Sequence, residues 1–266
     1  MKLAAVPIQS IIGDFDFNVK ETIKWLTKLS AEAVDFVLFP ELNLTGYTKN
    51  TEVIKTANQK KELIFNALKN ASTRLNIAFA VGFPEQIGME IYISQVLFEN
   101  GEIAGIHRKT HLGPTEKDTF TAGNEIAVCN LAQQVIGMQL CYESHFPIVS
   151  TIQAQQKASI LAYAFASPKE DANTKLDRFE RFLSTRAYDN SSYVMACNLN
   201  GVSDKGTAIP GLSIIIDPKG KTISKSLEKG FSATTIDPNQ LDTIRKSKMA
   251  CFTQHNRNDL YAKYYR

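Results

Sequence analysis

The chain has 266 residues, of which 44% are hydrophobic and 21% charged, and its formal net charge is +3 at pH 7. These fractions lie near the globular average, which excludes a disordered chain, a collagen repeat and a disulfide scaffold. The charge is spread over interleaved lysines and acids, so neither a nucleic-acid groove nor a polybasic membrane patch is expected. Four cysteines without a CxxC pair favour a reducing compartment over a structural zinc site. The length fits one domain over residues 1–266.

The N-terminal segment lacks the pattern of an export signal. One lysine precedes a short apolar run that Pro7 and Gln9 interrupt. The longest later apolar run, residues 160–166, is too short to cross a bilayer. We therefore expect a cytoplasmic protein without a membrane partner.

The first part of the chain predicts strands that alternate with helices. An apolar run over residues 2–9 predicts the first strand. A helix is expected from Asn18, whose side chain would cap it while Glu21 completes a capping box. Residues 35–40 form a short, almost wholly apolar run, which is typical of a strand buried on both faces.

The next elements are a helix, a strand and a hairpin. Periodic apolar residues predict a helix over 60–75, and residues 77–82 predict another buried strand. Two strand-like runs, 92–98 and 102–108, flank an Asn-Gly pair, which is the strongest short hairpin signal.

The rest of the chain predicts a β-α-β unit, a long helix and four more strands. These elements are expected over residues 134–141, 147–157, 159–165, 175–190, 192–198, 212–217, 221–227 and 231–237. Buried and alternating strands occur together and are joined by hairpins as well as helices. This mixture favours two stacked sheets with helices outside over one doubly wound parallel sheet.

Three of the strand-like runs end at a chemically reactive residue: Glu41, Lys109 or Cys141. Loops at the carboxyl ends of strands collect functional groups in α/β folds. Taken singly, each residue has an ordinary alternative as a solvated acid, part of a basic cluster or a buried thiol. Cys141 differs from Cys129 and Cys197 because it lies at a predicted strand-to-helix bend, where backbone N–H groups can stabilise a thiolate.

The segments around these residues, FPELNLTGY, HRKTHLGPTEKDTF and IGMQLCYESHFP, resemble in order the signature segments of the nitrilase superfamily of carbon–nitrogen hydrolases. RAYDNSSYVMACN, PGLSIIIDPKGK and RNDLY resemble further segments of that family, so the resemblance covers essentially the whole chain. It implies a four-layer α-β-β-α sandwich that forms a homodimer or a larger homo-oligomer. Three positions depart from the family pattern: Glu143 replaces an aspartate, Ile148 replaces a glutamate and Asp189 replaces a glutamate.

The resemblance also implies a reaction, the hydrolysis of a small linear amide. It makes Glu41 the general base, Lys109 the catalytic cation, Cys141 the nucleophile and Glu116 a second glutamate that orients the lysine and the amide. The Cys141 thiolate would attack the carbonyl to form a thioester, which water then hydrolyses. Lys109 and the Tyr142 N–H would stabilise the oxyanion. Neither a metal nor an organic cofactor is expected.

Aromatic residues and a histidine near the site are expected to contact the substrate or the oxyanion. They are Tyr47, Tyr142, His145, Tyr163 and Phe165. The substrate itself stays open between an ω-amide, a carbamoyl amine, an aliphatic amide and a nitrile.

Other interpretations compete with that of an amide-hydrolysing enzyme. His145 follows Cys141 by four residues, so a Cys–His dyad is formally possible, although no partner asparagine segment is evident. His107 and His111 lack the helix and the extra ligands that a zinc site needs. A non-catalytic relative that binds a small molecule is a further alternative, but such relatives usually lose one of the three reactive residues.

Overall fold

The structure is a computed structural model that describes residues 1–132, 134–227 and 230–264. In chain order, its strands are β1 (Lys2–Ala5), β2 (Phe36–Leu38), β3 (Ala78–Ile87), β4 (Glu90–Glu99), β5 (Glu102–Arg108), β6 (Val128–Leu131), β7 (Gln134–Leu140), β8 (Ile160–Phe165), β9 (Tyr193–Asn198), β10 (Gly201–Val202), β11 (Ala208–Ile209), β12 (Leu212–Ile216), β13 (Thr222–Leu227) and β14 (Ser232–Thr235). Its α-helices are α1 (Phe15–Ala31), α2 (Thr51–Gln59), α3 (Lys61–Leu75), α4 (Pro147–Gln155), α5 (Ala172–Asn190), α6 (Pro238–Lys246) and α7 (Asn258–Tyr261). Short 3-10 helices cover Cys141–His145 and Phe252–His255.

Most of these strands belong to two six-stranded sheets. The first sheet has the order β14-β1-β2-β3-β4-β5, and the second has the order β13-β12-β9-β8-β7-β6. The strands β1, β2 and β3 run parallel within the first sheet, as do β7, β8 and β9 within the second. The flanking strands pair antiparallel. The parallel centres explain the wholly apolar runs in the sequence, because a parallel strand is usually covered on both faces.

Apolar clusters define how the layers stack. The central cluster joins side chains of both sheets, such as Phe36 and Met138, so the sheets pack face to face. A second cluster packs α1 and α3 against the outer face of the first sheet, and a third packs α5 against the second sheet. The predicted four-layer α-β-β-α sandwich is therefore confirmed.

The predicted hairpin is confirmed. β4 and β5 pair antiparallel on either side of Asn100 and Gly101. Both turn residues have positive φ, +51° and +80°, which is the backbone conformation that an Asn-Gly pair tolerates.

The predicted capping of the first helix by Asn18 is wrong. α1 begins at Phe15 and is capped by Asp14, whose side chain accepts the N–H of Phe17. Asn18 lies inside the helix and is fully buried, and its side chain bonds both the N–H and the C=O of Ile11. Asp and Asn give the same local capping signal, so only contact with the preceding chain decides between them.

The helices that follow β2 were predicted in part. The helix predicted over 60–75 matches α3, whereas α2 is not predicted. Only Ile54 and Ala57 of α2 are buried, so its short sequence offers few apolar positions that would indicate a helix. Among the described residues, each α-helix is too short or too polar to form a transmembrane span.

Candidate functional site

Glu41 lies in a tight turn that follows β2 and packs against β3. In this turn Leu42 has a φ of +53°. A Cβ atom on Gly82 of β3 would lie 2.0 Å from the backbone nitrogen of Leu42, so the close approach requires glycine there. The Glu41 side chain is fully buried, and its Oε2 accepts the N–H of Ala166 at 3.1 Å.

Lys109 directly follows β5 and brings a cation to Glu41. Its side chain is fully buried. The ammonium Nζ lies 2.7 Å from Glu41 Oε1 and 2.9 Å from Glu116 Oε1. One buried ammonium therefore faces two buried carboxylates, and we call Glu41, Lys109 and Glu116 the Lys109 cluster.

Glu116 is held by the loop that follows Lys109. Its Oε2 accepts the backbone N–H of Gly113 at 2.6 Å. Its Oε1 accepts the hydroxyl of Tyr47 at 2.9 Å as well as the ammonium of Lys109. These bonds fix the carboxylate in a single orientation toward the cation.

Cys141 is the first residue of the 3-10 helix that follows β7. Its φ is +39°, in the left-handed region that non-glycine residues adopt rarely and often at functional sites. The side chain is half-buried. The N–H of Ala166, which Glu41 accepts, also stabilises the charged form of the Cys141 thiol.

Burial and the charges nearby shift the pKa values of these groups. Burial raises the pKa of Glu41 to about 7, with Lys109 opposing the rise and Glu116 adding to it. Burial also raises the pKa of Cys141 to about 12, and the Glu41 carboxylate adds to that rise. For Lys109, burial alone would lower the pKa, but the surrounding anionic groups raise it above its usual range. At neutral pH the site thus combines a charged Lys109, a neutral Cys141 thiol and a Glu41 carboxyl group near its titration midpoint.

The structure brings some of the predicted pocket residues to this site. Tyr47 contacts Glu116 directly. Tyr142 follows Cys141, and its ring packs edge-on against the exposed ring of His145, with a centroid distance of 5.4 Å. His145 also lies beside Phe182, at 6.0 Å between ring centroids.

Tyr163 and Phe165, which were expected to contact the substrate, both belong to the apolar cluster between the second sheet and α5, against which Cys141 also packs. The hydroxyl of Tyr163 lies 2.6 Å from Ser150 Oγ, and Phe165 packs against Phe179 with a centroid distance of 4.2 Å. Alternate residues of a strand point to opposite faces, so the side chains at 163 and 165 face the helix layer while Ala164 faces the other sheet.

The positions of three histidines bear on the alternative interpretations, a Cys–His dyad and a zinc site. His145 is exposed and contacts aromatic rings, which does not favour a Cys–His dyad. His107 is buried against Glu143, while the ring of His111 stacks on Phe146 at 4.0 Å. Within the described ranges, no group of three or more His, Cys, Asp or Glu side chains is placed to hold a metal ion.

The backbone N–H of Ala166 is a functional group that sequence reasoning missed. It gives no sequence signal, because any residue other than proline supplies an N–H at that position. Of the three departures from the family pattern, Glu143 is fully buried, whereas Ile148 and Asp189 are exposed.

A family model, curated proteins and solved structures are similar to this chain over most of its length. The carbon–nitrogen hydrolase family model matches residues 2–246. A protein of Schizosaccharomyces pombe named a probable nitrilase is 27% identical over 273 residues, which cover 98% of this chain and 97% of that protein. An (R)-stereoselective amidase from Pseudomonas sp. is 24% identical over 251 residues, which cover 92% and 88%. A solved variant of the amidase from Nesterenkonia sp. AN1, with acrylamide added at its active-site cysteine, has a TM-score of 0.85 at 19% identity and covers 99% of each chain.

Proposed function

The chain belongs to the carbon–nitrogen hydrolase family, and from that premise we propose that it hydrolyses a small linear amide through a covalent thioester on Cys141. The observation that carries the proposal is the Lys109 cluster, in which one ammonium contacts two buried carboxylates at 2.7 and 2.9 Å. Such a buried group of charges is costly to desolvate, and perturbed pKa values of this kind gather at functional sites.

Glu41 acts as the general base. A carboxyl group with a pKa of about 7 can accept a proton at neutral pH and release it again, which a catalytic base must do in each cycle. The Cys141 thiol, with its pKa raised to about 12, stays protonated until the substrate binds. Glu41 takes the thiol proton as the sulfur attacks the amide carbon, so the thiolate forms together with the new C–S bond.

Lys109 stabilises the oxyanion of the tetrahedral intermediate. Its ammonium carries a full positive charge in a water-excluded setting, where the attraction to a developing anion is strongest. Tyr142 is the second residue of a 3-10 helix, so its N–H has no acceptor within that helix and is free to donate to the same oxygen. Removing one donor of this kind typically costs about 3–4 kcal/mol of transition-state stabilisation.

The second half of the cycle regenerates the thiol. Glu41 gives its proton to the nitrogen of the leaving ammonia or amine as the C–N bond breaks. The carboxylate then takes a proton from water, whose oxygen attacks the thioester carbon, and the proton returns to the Cys141 sulfur as the acid is released. Glu116, fixed by Tyr47 and Gly113, orients Lys109 and accepts a hydrogen bond from the substrate amide.

Two relatives support this choice of chemistry, and a third favours an alternative. The Pseudomonas relative is named an amidase, and in the Nesterenkonia amidase acrylamide adds to the active-site cysteine. The Schizosaccharomyces pombe relative carries a nitrilase name, which keeps nitrile hydrolysis as the second candidate. A nitrile carbon would accept the same sulfur to form a thioimidate. One water would then release the nitrogen as ammonia and leave a thioester, and a second water would hydrolyse that thioester to the acid.

An ammonia-release screen over ω-amides, carbamoyl amines, aliphatic amides and nitriles tests the proposal. We expect release from at least one amide class, and an acyl adduct on Cys141 in the intact mass of enzyme quenched during turnover. Cys141→Ala should fold normally and lose both signals, whereas Cys197→Ala, a fully buried thiol in β9, should keep both. Turnover by Cys141→Ala would refute covalent catalysis at this sulfur.

A further inference from the structure

Another buried carboxylate, Glu143, lies behind the proposed site, and both of its oxygens accept hydrogen bonds. Its Oε1 accepts the N–H of Thr110 at 2.7 Å and the hydroxyl of the same residue at 2.6 Å. Its Oε2 accepts the N–H of Leu140 at 2.6 Å and lies 2.8 Å from His107 Nε2. Neither Glu143 nor His107 has appreciable contact with solvent. We call these four residues the Glu143 network.

The partners of Glu143 immediately flank the proposed catalytic residues. Leu140 is the residue before Cys141, and Thr110 is the residue after Lys109. A single carboxylate therefore connects the end of β7 in the second sheet to the end of β5 in the first sheet. The distance from the Lys109 ammonium to the Cys141 sulfur depends on this connection, because the two side chains are attached to backbone segments that it holds together.

Gln95 lies between the Glu143 network and the backbone that leads to Glu41. It is directly opposite His107 in the β4–β5 pairing, and opposed residues of an antiparallel pair point to the same face. The Nε2 of Gln95 donates to the carbonyl of Phe39, two residues before Glu41, at 2.8 Å. Among the described residues, Gln95 Oε1 and His107 Nδ1 are both buried without a hydrogen-bond partner. The connection that the hydrogen bonds of Glu143 make therefore runs between Leu140 and Thr110, with Gln95 packed beside it.

We propose that Glu143 and His107 are positioning residues, which hold the Lys109 ammonium at its productive distance from the Cys141 sulfur. The inference rests on the proposed function. Glu143 makes four short hydrogen-bond contacts, more than a buried carboxylate needs to offset its loss of water. Two of the donors are backbone N–H groups of residues next to Lys109 and Cys141. A misplacement of about 1 Å in an active site can cost roughly 10²-fold in rate. Despite its burial, Glu143 has a pKa below its usual range because His107 and Thr110 stabilise the carboxylate.

Glu143→Gln removes the charge while it keeps the shape. Every partner of the carboxylate donates or can donate a hydrogen bond. The NH₂ of the new amide is itself a donor, so it cannot bond the partners on its side. We expect kcat to fall by about 10²-fold while KM changes by less than about threefold. Glu143→Asp keeps the charge on a shorter side chain and should recover at least about tenfold of that loss.

His107 allows a milder test that does not depend on the folding of Glu143 variants. His107→Gln keeps a nitrogen donor toward Glu143, whereas His107→Leu removes it. We expect His107→Leu to lower kcat by about tenfold, and His107→Gln to stay within about threefold of the wild type. A purely structural role would instead make kcat per folded molecule equal in both variants.

Glu85 supplies the matched control. It is another buried carboxylate of the first sheet, and it bonds the side chains of Arg108 (Nε, 2.8 Å) and Ser94 (Oγ, 3.1 Å). Arg108 precedes Lys109, but its long side chain, and not its backbone, makes this bond, whereas Glu143 holds the backbone N–H groups of Thr110 and Leu140. Glu85→Gln and Glu143→Gln should both lower the melting temperature, but Glu85→Gln should leave kcat within about twofold of the wild type. If the two variants lose stability and kcat in the same proportion, the positioning role of Glu143 is overturned.

Alkylation of Cys141 separates a failure of this inference from a failure of the proposed function. The other three cysteines are buried, so peptide mapping after iodoacetamide treatment reports on Cys141. We expect Glu143→Gln to slow this alkylation at least about fivefold even if no amide substrate is found. An unchanged alkylation rate together with an unchanged kcat would refute the positioning role, whereas absent amide turnover with slowed alkylation would refute only the substrate class.

Discussion

Two lysines, Lys109 and Lys175, are fully buried, yet their surroundings differ. Lys109 contacts two carboxylates that are themselves buried. Lys175, in the first part of α5, contacts Ser167 Oγ at 3.0 Å and Glu170 Oε2 at 3.2 Å, and the Glu170 side chain is 34% exposed. Glu170 also pairs with Arg178 at 2.8 Å, so its negative charge is divided between two cations.

The pKa values of the two lysines move in opposite directions. Burial lowers the pKa of Lys175, and Glu170 offsets only part of that decrease. The anionic neighbours of Lys109 more than offset the same penalty and raise its pKa. Because both side chains are fully buried, the difference shows that the neighbouring negative charges decide whether the pKa of a buried lysine falls or rises. Only the lysine with full compensation is suited to stabilise an oxyanion.

Lys175 has a position suited to a structural role. It donates to the hydroxyl of Ser167 and to the carbonyl of Pro168, at the start of the loop between β8 and α5. In this loop Lys169 and Glu170 both have positive φ, +64° and +59°. The loop follows Ala166, whose N–H bonds Glu41, so Lys175 holds one wall of the proposed site without contacting the Lys109 cluster.

Replacing each lysine by alanine gives the largest expected effect. Lys109→Ala should lower kcat at least about 10²-fold because an oxyanion donor is lost. Lys175→Ala should lower kcat less than about tenfold and act mainly through the loop. Steady-state kinetics with enzyme concentrations corrected for the folded fraction would measure both. Equal losses in the two variants would contradict the assignment of chemistry to Lys109 alone.

Replacing the carboxylate partners gives the next effect. Glu116→Gln should lower kcat by about tenfold, because Lys109 loses one of its two fixed anionic partners. Glu170→Gln removes a partly exposed partner of Lys175 and should change kcat by less than about threefold. The same amide assay compares the variants. A larger effect at Glu170 would mean that the loop, rather than the cluster, limits turnover.

The pH dependence of kcat/KM tests the charge balance in the cluster. Glu41 must be deprotonated to act as a base, so kcat/KM should fall as the pH drops below about 7. The Glu116 carboxylate raises the pKa of Glu41, so Glu116→Gln should move this acidic limb to lower pH by about one unit. A limb that stays in place would show that Glu41 is not the titrating base or that Glu116 does not act on it.

Tyr47→Phe should give the smallest effect. The hydroxyl supplies one of several bonds to Glu116, at 2.9 Å. Its loss should lower the free energy of unfolding by about 1 kcal/mol and kcat by less than about fivefold. Urea denaturation and the amide assay would check the two values. A loss as large as that of Lys109→Ala would make Tyr47 a direct participant in the reaction.

Much of the site follows from local sequence because each reactive residue ends a strand. Glu41, Lys109 and Cys141 each come directly after or near the end of an apolar run, and parallel strands place such ends at a common edge. These three residues could be picked out from the sequence although they lie far apart along it. The family resemblance added Glu116, which lies in a loop where periodicity carries no signal.

The side chains of Tyr163 and Phe165 lie on one face of a strand, and a single apolar run does not indicate which face each side chain takes. Their place in the cluster between the second sheet and α5 is decided only by packing. At the start of the first helix Asp14 and not Asn18 is the cap, because the two residue types give the same local signal and Asn18 bonds Ile11 instead.

By itself, the sequence determined the order and type of most elements, the family and the three residues proposed to carry the chemistry, because these depend on local patterning and short motifs. The tertiary structure alone decided that one ammonium is shared between two buried carboxylates, that the Ala166 N–H donates to Glu41, and that Glu143 connects the two sheets. The reason is that the strength of a charge or a hydrogen bond depends on what else is buried within a few ångströms of it. Those neighbours are brought together only when the two sheets pack face to face.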